Sequence, residues 1–119
     1  MNTIDFLNQI VHIKIDRPLG SRHPQHGFIY PVNYSYIPGT CAPNGEPFDA
    51  YVLGIFEPVE EFTGRCIAMV QRLDDDDDKL IVVPEGRQYN DDQIQALVEF
   101  QERLFTSIIQ RRKPAGLAS

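Results

Sequence analysis

Five consecutive aspartates, Asp74 to Asp78, stand directly before Lys79-Leu80-Ile81-Val82-Val83-Pro84. Carboxylates packed this densely repel one another. The run separates two apolar, strand-like segments, Cys66-Ile67-Ala68-Met69-Val70 and Leu80–Val83. Water and salt, basic side chains or divalent cations could each relieve the repulsion. Hard cations take oxygen ligands, so a strand-to-strand turn of carboxylates is a candidate Mg²⁺ site. Most acidic runs, however, are solvated loops. A second acidic segment strengthens the metal reading. In Asn44-Gly45-Glu46-Pro47-Phe48-Asp49, Asn-Gly signals a tight turn, and Pro47 fits the start of a strand or an edge. Strand alternation places Asp49 opposite Phe48; with Phe48 in a core, Asp49 faces a groove or solvent. A turn carboxylate, Glu46, a strand carboxylate, Asp49, and a distant aspartate cluster are parts from which a multi-metal phosphoryl site is built.

Strands must position these groups. Ile10–Ile15 alternates as a half-buried strand, with Ile10, His12 and Lys14 on one face and Val11, Ile13 and Ile15 on the other. A loop rich in Pro, Gly and basic groups follows, Asp16 to His26. Phe28–Ile37 is aromatic and extended, with a bend or edge at Pro31. Tyr51–Glu57, Arg65–Arg72 and Leu80–Pro84 read as further strands. Asn90 is a good N-cap for a helix predicted over Asp91–Arg112, whose apolar residues fall near helical spacing. Acids at its start and Arg111, Arg112 and Lys113 at its end would complement the dipole. Short strands followed by one helix suggest a small barrel crossed by a helix. The expected fold class is α+β, mainly β: a five-stranded OB-like barrel with a C-terminal helix. Residues 1–112 form one domain, and 113–119 are expected to be a disordered tail.

Composition narrows the function. The chain has 119 residues, 42% of them apolar, which suits one compact globular domain. With 17 acidic and 11 basic side chains the formal net charge is −6, which disfavours nucleic acid. A small anionic substrate stays open, because bound cations invert the local field. Cys41 and Cys66 are not spaced as a metal pair and suggest no disulfide framework. No apolar run has the length of a membrane span, and the first residues have no signal-peptide pattern. A reducing cytoplasm and a homo-oligomeric state are expected, with no membrane or nucleic-acid partner.

Three strings together carry a resemblance: Tyr30-Pro-Val-Asn-Tyr34-Ser-Tyr36-Ile37, Asn44-Gly-Glu-Pro-Phe-Asp49, and the aspartates with Lys79-Leu-Ile-Val-Val-Pro84. Their order and spacing resemble the soluble, metal-dependent inorganic pyrophosphatases of family I, over about residues 10 to 105. The resemblance implies a five-stranded barrel with a C-terminal helix, Mg²⁺ (with Mn²⁺ as a substitute) held by aspartates, and hydrolysis of diphosphate to phosphate. Asp49 matches the last aspartate of the family signature Asp-Gly-Asp-Pro-x-Asp, a bridging metal ligand. Glu46 matches the middle aspartate, implicated in activating the water. Asn44 stands where the first aspartate, another ligand, belongs. Asp77 matches the family aspartate two residues before the lysine, and Asp74 or Asp75 the earlier one. Ile15-Asp16-Arg17-Pro-Leu-Gly-Ser-Arg22 resembles Ile-Glu-Ile-Pro-x-Gly-Ser-Arg, which puts Asp16 at the first-strand glutamate. Tyr30 and Tyr34 match active-site tyrosines.

The chain also departs from that pattern. Pro24 stands where the family places a lysine, a hairpin carrying an arginine is missing, and Leu104-Phe105 replace a phosphate-binding Tyr-Lys pair. Arg17, Arg22, His23 and His26 lie in the right loop to replace some of these contacts. On this reading Asp16, Asn44, Asp49, Asp74 and Asp77 hold metal, Glu46, Asp49 and Tyr34 are catalytic, and Arg17, Arg22, His23, Tyr30 and Tyr34 bind diphosphate. Plainer roles compete with these. The tyrosines would serve as barrel packing, His23 and His26 as solvated groups, Asp16-Arg17 as an ion pair, and His12 as a surface strand residue. Two other functions compete with hydrolysis: a non-catalytic descendant binding phosphate metabolites or a protein partner, and an OB-type nucleic-acid binder, which the charge balance disfavours.

Overall fold

A computed structural model describes residues 2–111. After a 3₁₀ turn at Thr3–Phe6, strands β1 (Ile10–Arg17), β2 (Asn33–Tyr36), β3 (Asp49–Val52), β4 (Glu61–Arg72) and β5 (Lys79–Val83) precede helix α1 (Asp91–Glu102) and strand β6 (Ser107–Gln110). The sheet order is β1-β2-β3-β5-β4-β6, and β1 also pairs with β4, which closes a ring of five strands. All pairings are antiparallel except β3 with β5, so the barrel is mixed. The expected mainly-β, five-stranded barrel with a C-terminal helix is the observed architecture.

Side-chain alternation builds two cores. One fills the barrel with Val11 and Ile13 of β1, Ala50 and Val52 of β3, Cys66 and Met69 of β4, and Leu80 and Val82 of β5. The other lies under α1 and takes the alternate residues, Tyr51, Ala68, Val70, Ile81 and Val83, with Ile94 and Val98 of the helix. β5 is buried on both faces, which explains its unbroken Leu-Ile-Val-Val run. The helix-side face is the one that matters for chemistry. Asp49 shares it with Tyr51, Lys79 with Ile81, and Arg72 with Val70.

Boundaries differ from the sequence reading: of the extended segment Phe28–Ile37 only Asn33–Tyr36 is strand, β1 and β5 shift by one or two residues, and three further differences have local causes. β3 starts at Asp49 and ends at Val52 rather than running over Tyr51–Glu57, because Gly54 turns the chain with φ +91°. β4 begins four residues earlier than expected, at Glu61, and uses its first five residues to pair with β1. The helix stops at Glu102 rather than Arg112. Thr106, Ile108 and Ile109 are β-branched, and Met69–Arg72 of β4 would otherwise leave a backbone edge unpaired beyond the contact with β1. Ser107–Gln110 fills that edge. Arg111 therefore does not sit at the helix C-terminus. It returns to the N-terminal turn, where its Nε lies 2.7 Å from Asp91 Oδ1. Asn90 is the N-cap, in a reciprocal capping box with Gln93. Arg112, Lys113 and the expected tail at 113–119 lie outside the described residues.

Candidate active site

The acidic run is relieved first by basic side chains. Lys79, the first residue of β5, is 2% exposed, and its Nζ lies 2.8 Å from both Asp49 Oδ2 and Asp77 Oδ1. Parallel pairing of β3 with β5 sets Asp49 directly beside Lys79. Arg72, the last residue of β4, is also buried. Its Nε and Nη2 donate to the two oxygens of Glu102 at 3.1 and 2.8 Å, and its Nη1 faces Asp75 at 3.3 Å and Asp77 at 3.6 Å. Backbone donors reach three members of the run. Asp78 accepts from Arg72 N, Asp75 from Asp77 N, and Asp74 from Thr106 N.

Of these groups Asp49, Arg72, Asp77 and Lys79 line a cavity of about 250 Å³ together with Asp16, Arg17, His23, Tyr30 and Tyr34. A second cavity, of about 450 Å³, adjoins it and contains Glu46; Asp16, Tyr34 and Asp49 line both. The exposed Glu46 is placed by the turn before β3. Asn44 Oδ1 accepts from Glu46 N at 3.0 Å, and Gly45 supplies the φ of +88° that the turn requires. Asn44 Nδ2 also reaches Asp77 Oδ1, at 3.5 Å, so the turn and the aspartate loop touch.

The structure thus brings Asp16, Arg17, His23, Tyr30, Tyr34, Asp49 and Asp77 to one cavity and puts Asn44 and Glu46 at its edge. It does not bring Asp74 there, whose carboxylate is turned to Thr106 at the start of β6. Nor does it bring Arg22, whose guanidinium donates to Gly27 O at 2.7 Å and ties its own loop together. His12 is a surface strand residue, bonded to Thr63.

Protonation states follow from the surroundings. Burial, and then the negative charge of Asp49, raise the Tyr34 phenol well above its usual range, so it stays a donor. Burial and then Glu102 do the same for Tyr51. Burial, with His26 and Arg17 nearby, lowers His23. His23 Nδ1 accepts from the backbone N–H of Gln25 and His26, so the neutral ring carries its proton on Nε2. For Arg72, burial alone would favour loss of charge, but the Glu102 hydrogen bonds outweigh it and the guanidinium is held charged.

Arg72, Lys79 and Glu102 did not emerge as site residues from the sequence. The signals were present but quiet. Arg72 continues the buried alternation Ala68, Val70, and Glu102 continues the apolar stripe Ile94, Val98. A charge on a buried face requires a partner.

The donor chemistry fits a hard cation. Four carboxylates, Asp49, Asp75, Asp77 and Glu102, contact only two buried cations, and Asp16 lines the same cavity. Among the described residues no three acidic, His or Cys side chains form a ready-made cage, because Asp49 and Asp77 are turned onto Lys79. Mg²⁺ needs no such cage, since it is commonly held by one or two carboxylates, waters and substrate phosphates.

Comparison with known proteins gives the same direction. The family model described as inorganic pyrophosphatase matches residues 8–111. The soluble inorganic pyrophosphatase of Zea mays is 38% identical over 88 residues, 66% of this chain and 38% of that protein. The inorganic pyrophosphatase of Saccharolobus solfataricus is 35% identical over 79 residues, 63% of this chain and 43% of that protein. The chain therefore spans about two fifths of the length of these curated relatives. The crystal structure of inorganic pyrophosphatase from Ehrlichia chaffeensis superposes with a TM-score of 0.70 at 17% identity, covering 93% of this chain and 91% of that one. That from Thermus thermophilus gives 0.61 at 22% identity, covering 87% and 83%. The fold, the order of its acidic segments and the family match over residues 8–111 place this chain in the inorganic pyrophosphatase family.

Proposed function

We propose that the chain hydrolyses inorganic diphosphate, or a related phosphoanhydride, to phosphate in the presence of Mg²⁺. The observation that carries this reading is the convergence of Asp49 and Asp77, from β3 and from the aspartate loop, on one buried ammonium. Asp16, Asp49 and Asp77 would hold Mg²⁺, which when bound supplies charge neutralisation and a more acidic water. Tyr34 donates its phenol proton to a phosphoryl oxygen. Lys79 and Arg17 offset negative charge on the substrate, and His23 offers its Nε2–H at the same wall. Glu46, at the edge of the adjoining cavity, takes the proton of the attacking water. A glutamate there has one methylene more than the family's aspartate. A misplacement of about 1 Å can cost on the order of 10²-fold in rate, so modest turnover is expected.

A non-catalytic, phosphate-binding role is the second reading. It is favoured by Asn44 at the first signature position and by Leu104 and Phe105 in the cavity wall. Phosphate release from a panel of phosphoanhydrides with Mg²⁺, Mn²⁺ or EDTA separates the two. Hydrolysis requires release with either metal and none with EDTA. No release from any compound in the panel leaves only the binding reading.

A further inference from the structure

Arg72 has features that a buried ion pair alone does not explain. Glu102 satisfies two of its three nitrogens with the shorter bonds, 3.1 and 2.8 Å. The third, Nη1, faces Asp75 and Asp77 at the longer distances of 3.3 and 3.6 Å, and of these Asp77 lines the cavity with Arg72. Phe105 stacks on the guanidinium with 3.6 Å from Cζ to the ring centroid, and so fixes its plane. Glu102 is fixed in turn. Tyr51 donates its hydroxyl proton to Glu102 at 2.6 Å, Gln101 Nε2 donates to Tyr51, and Tyr30 donates to Gln101 Oε1. A chain of buried polar groups running from α1 to β3 and the Tyr30 segment thus holds one guanidinium edge toward the cavity. Asp77 spans both cations of that cavity, with Oδ1 on Lys79 and Oδ2 facing Arg72 Nη1. A tetrahedral phosphoryl group presents oxygens with similar reach.

Resting on the diphosphatase reading above, we propose that Arg72 is a substrate-binding residue. Its Nη1, together with Lys79 Nζ, takes one phosphoryl group in the place that Asp77 fills here, and Asp77 is freed to serve as a cation ligand. Glu102 is a positioning residue that acts through Arg72. This arrangement supplies from inside the barrel wall an anion contact that the loop at Asp16–His26 does not provide through Arg22.

The test is calorimetric binding of methylenediphosphonate, a non-hydrolysable diphosphate analogue, in the presence of Mg²⁺. Arg72→Met alone would strand Glu102 in a buried site, so the informative variant is Arg72→Met with Glu102→Met, which removes both charges together. Arg72→Lys keeps the charge but loses the planar fork. The proposal expects Kd to rise at least tenfold in the double variant, and less in Arg72→Lys, with circular dichroism unchanged. A folded double variant that binds within twofold of wild type overturns the role of Arg72 while leaving the diphosphatase reading in place. Should the double variant not fold, Arg72→Lys decides: a Kd within twofold of wild type overturns the proposal. Wild type that neither binds the analogue nor releases phosphate overturns both.

Discussion

At the scale of residues, the site is an excess of carboxylates held down by two buried cations. That balance makes single charges consequential. Asn44 lies 3.5 Å from Asp77, so Asn44→Asp adds a like charge beside an existing one. Without Mg²⁺ the variant should melt a few degrees lower. It should also reach half-maximal response at a Mg²⁺ concentration several-fold lower, since a charged oxygen replaces a neutral one at a hard cation. A titration of melting temperature against Mg²⁺ reads both effects; an unchanged Mg²⁺ requirement would place Asn44 outside the cation site. Asp78 behaves differently. Burial, and then its three aspartate neighbours, raise its carboxyl above the usual value despite the bond from Arg72 N. Its ionised form is therefore disfavoured by folding. The penalty is absent below the unfolded pKa of about 3.9 and is fully present above the folded value. Asp78→Asn keeps an acceptor for Arg72 N and removes the charge. It should raise the melting temperature at pH 7, an advantage that disappears as the pH falls below about 4. An equal gain at both pH values would assign the effect to something other than ionisation. The acidic partners were legible in the sequence as a run and a turn. The Arg72–Glu102 pair was not, because its members are 30 residues apart and meet only after α1 docks.

At the scale of elements, β4 is the spine. It pairs with β5 along one edge and with β1 and then β6 along the other. Gly64 lies where β1 and β5 converge on it. A Cβ there would come within 2.4 Å of Val83 O and 2.5 Å of the Phe62 ring. The carbonyl belongs to a buried strand and cannot yield cheaply. Gly64→Ala should destabilise the fold by about 2 kcal/mol, which is roughly 10 °C in melting temperature. A thermal melt within about 2 °C of wild type would show that the barrel opens locally at this point. The sequence located β1 and β5 well, because strict alternation and an unbroken apolar run are strong local signals. It extended the helix over Ser107–Gln110, because Leu104, Phe105, Ile108 and Ile109 continue helical spacing. A local pattern cannot show that β4 has an edge in need of pairing.

At the scale of the whole molecule, closure of the barrel gathers groups from both ends of the chain. Asp16 ends β1, Tyr34 lies in β2, Asp49 opens β3, Arg72 ends β4, Lys79 opens β5, and Glu102 ends α1. The five strand residues line one cavity, and Glu102 bonds Arg72 beside it. A chain of net charge −6 that concentrates acids there is suited to an anionic substrate only when cations accompany it. The initial rate of phosphate release from diphosphate, compared between wild type and Asp49→Ala, decides whether this cavity works in that way. In the variant Lys79 keeps Asp77 as a partner, so the fold should persist. Wild type should release phosphate only with metal and not with EDTA, and the folded variant should be slower by on the order of 10²-fold or more. An Asp49→Ala rate equal to that of wild type would contradict this, because the hydrolysis would then take place somewhere other than this cavity.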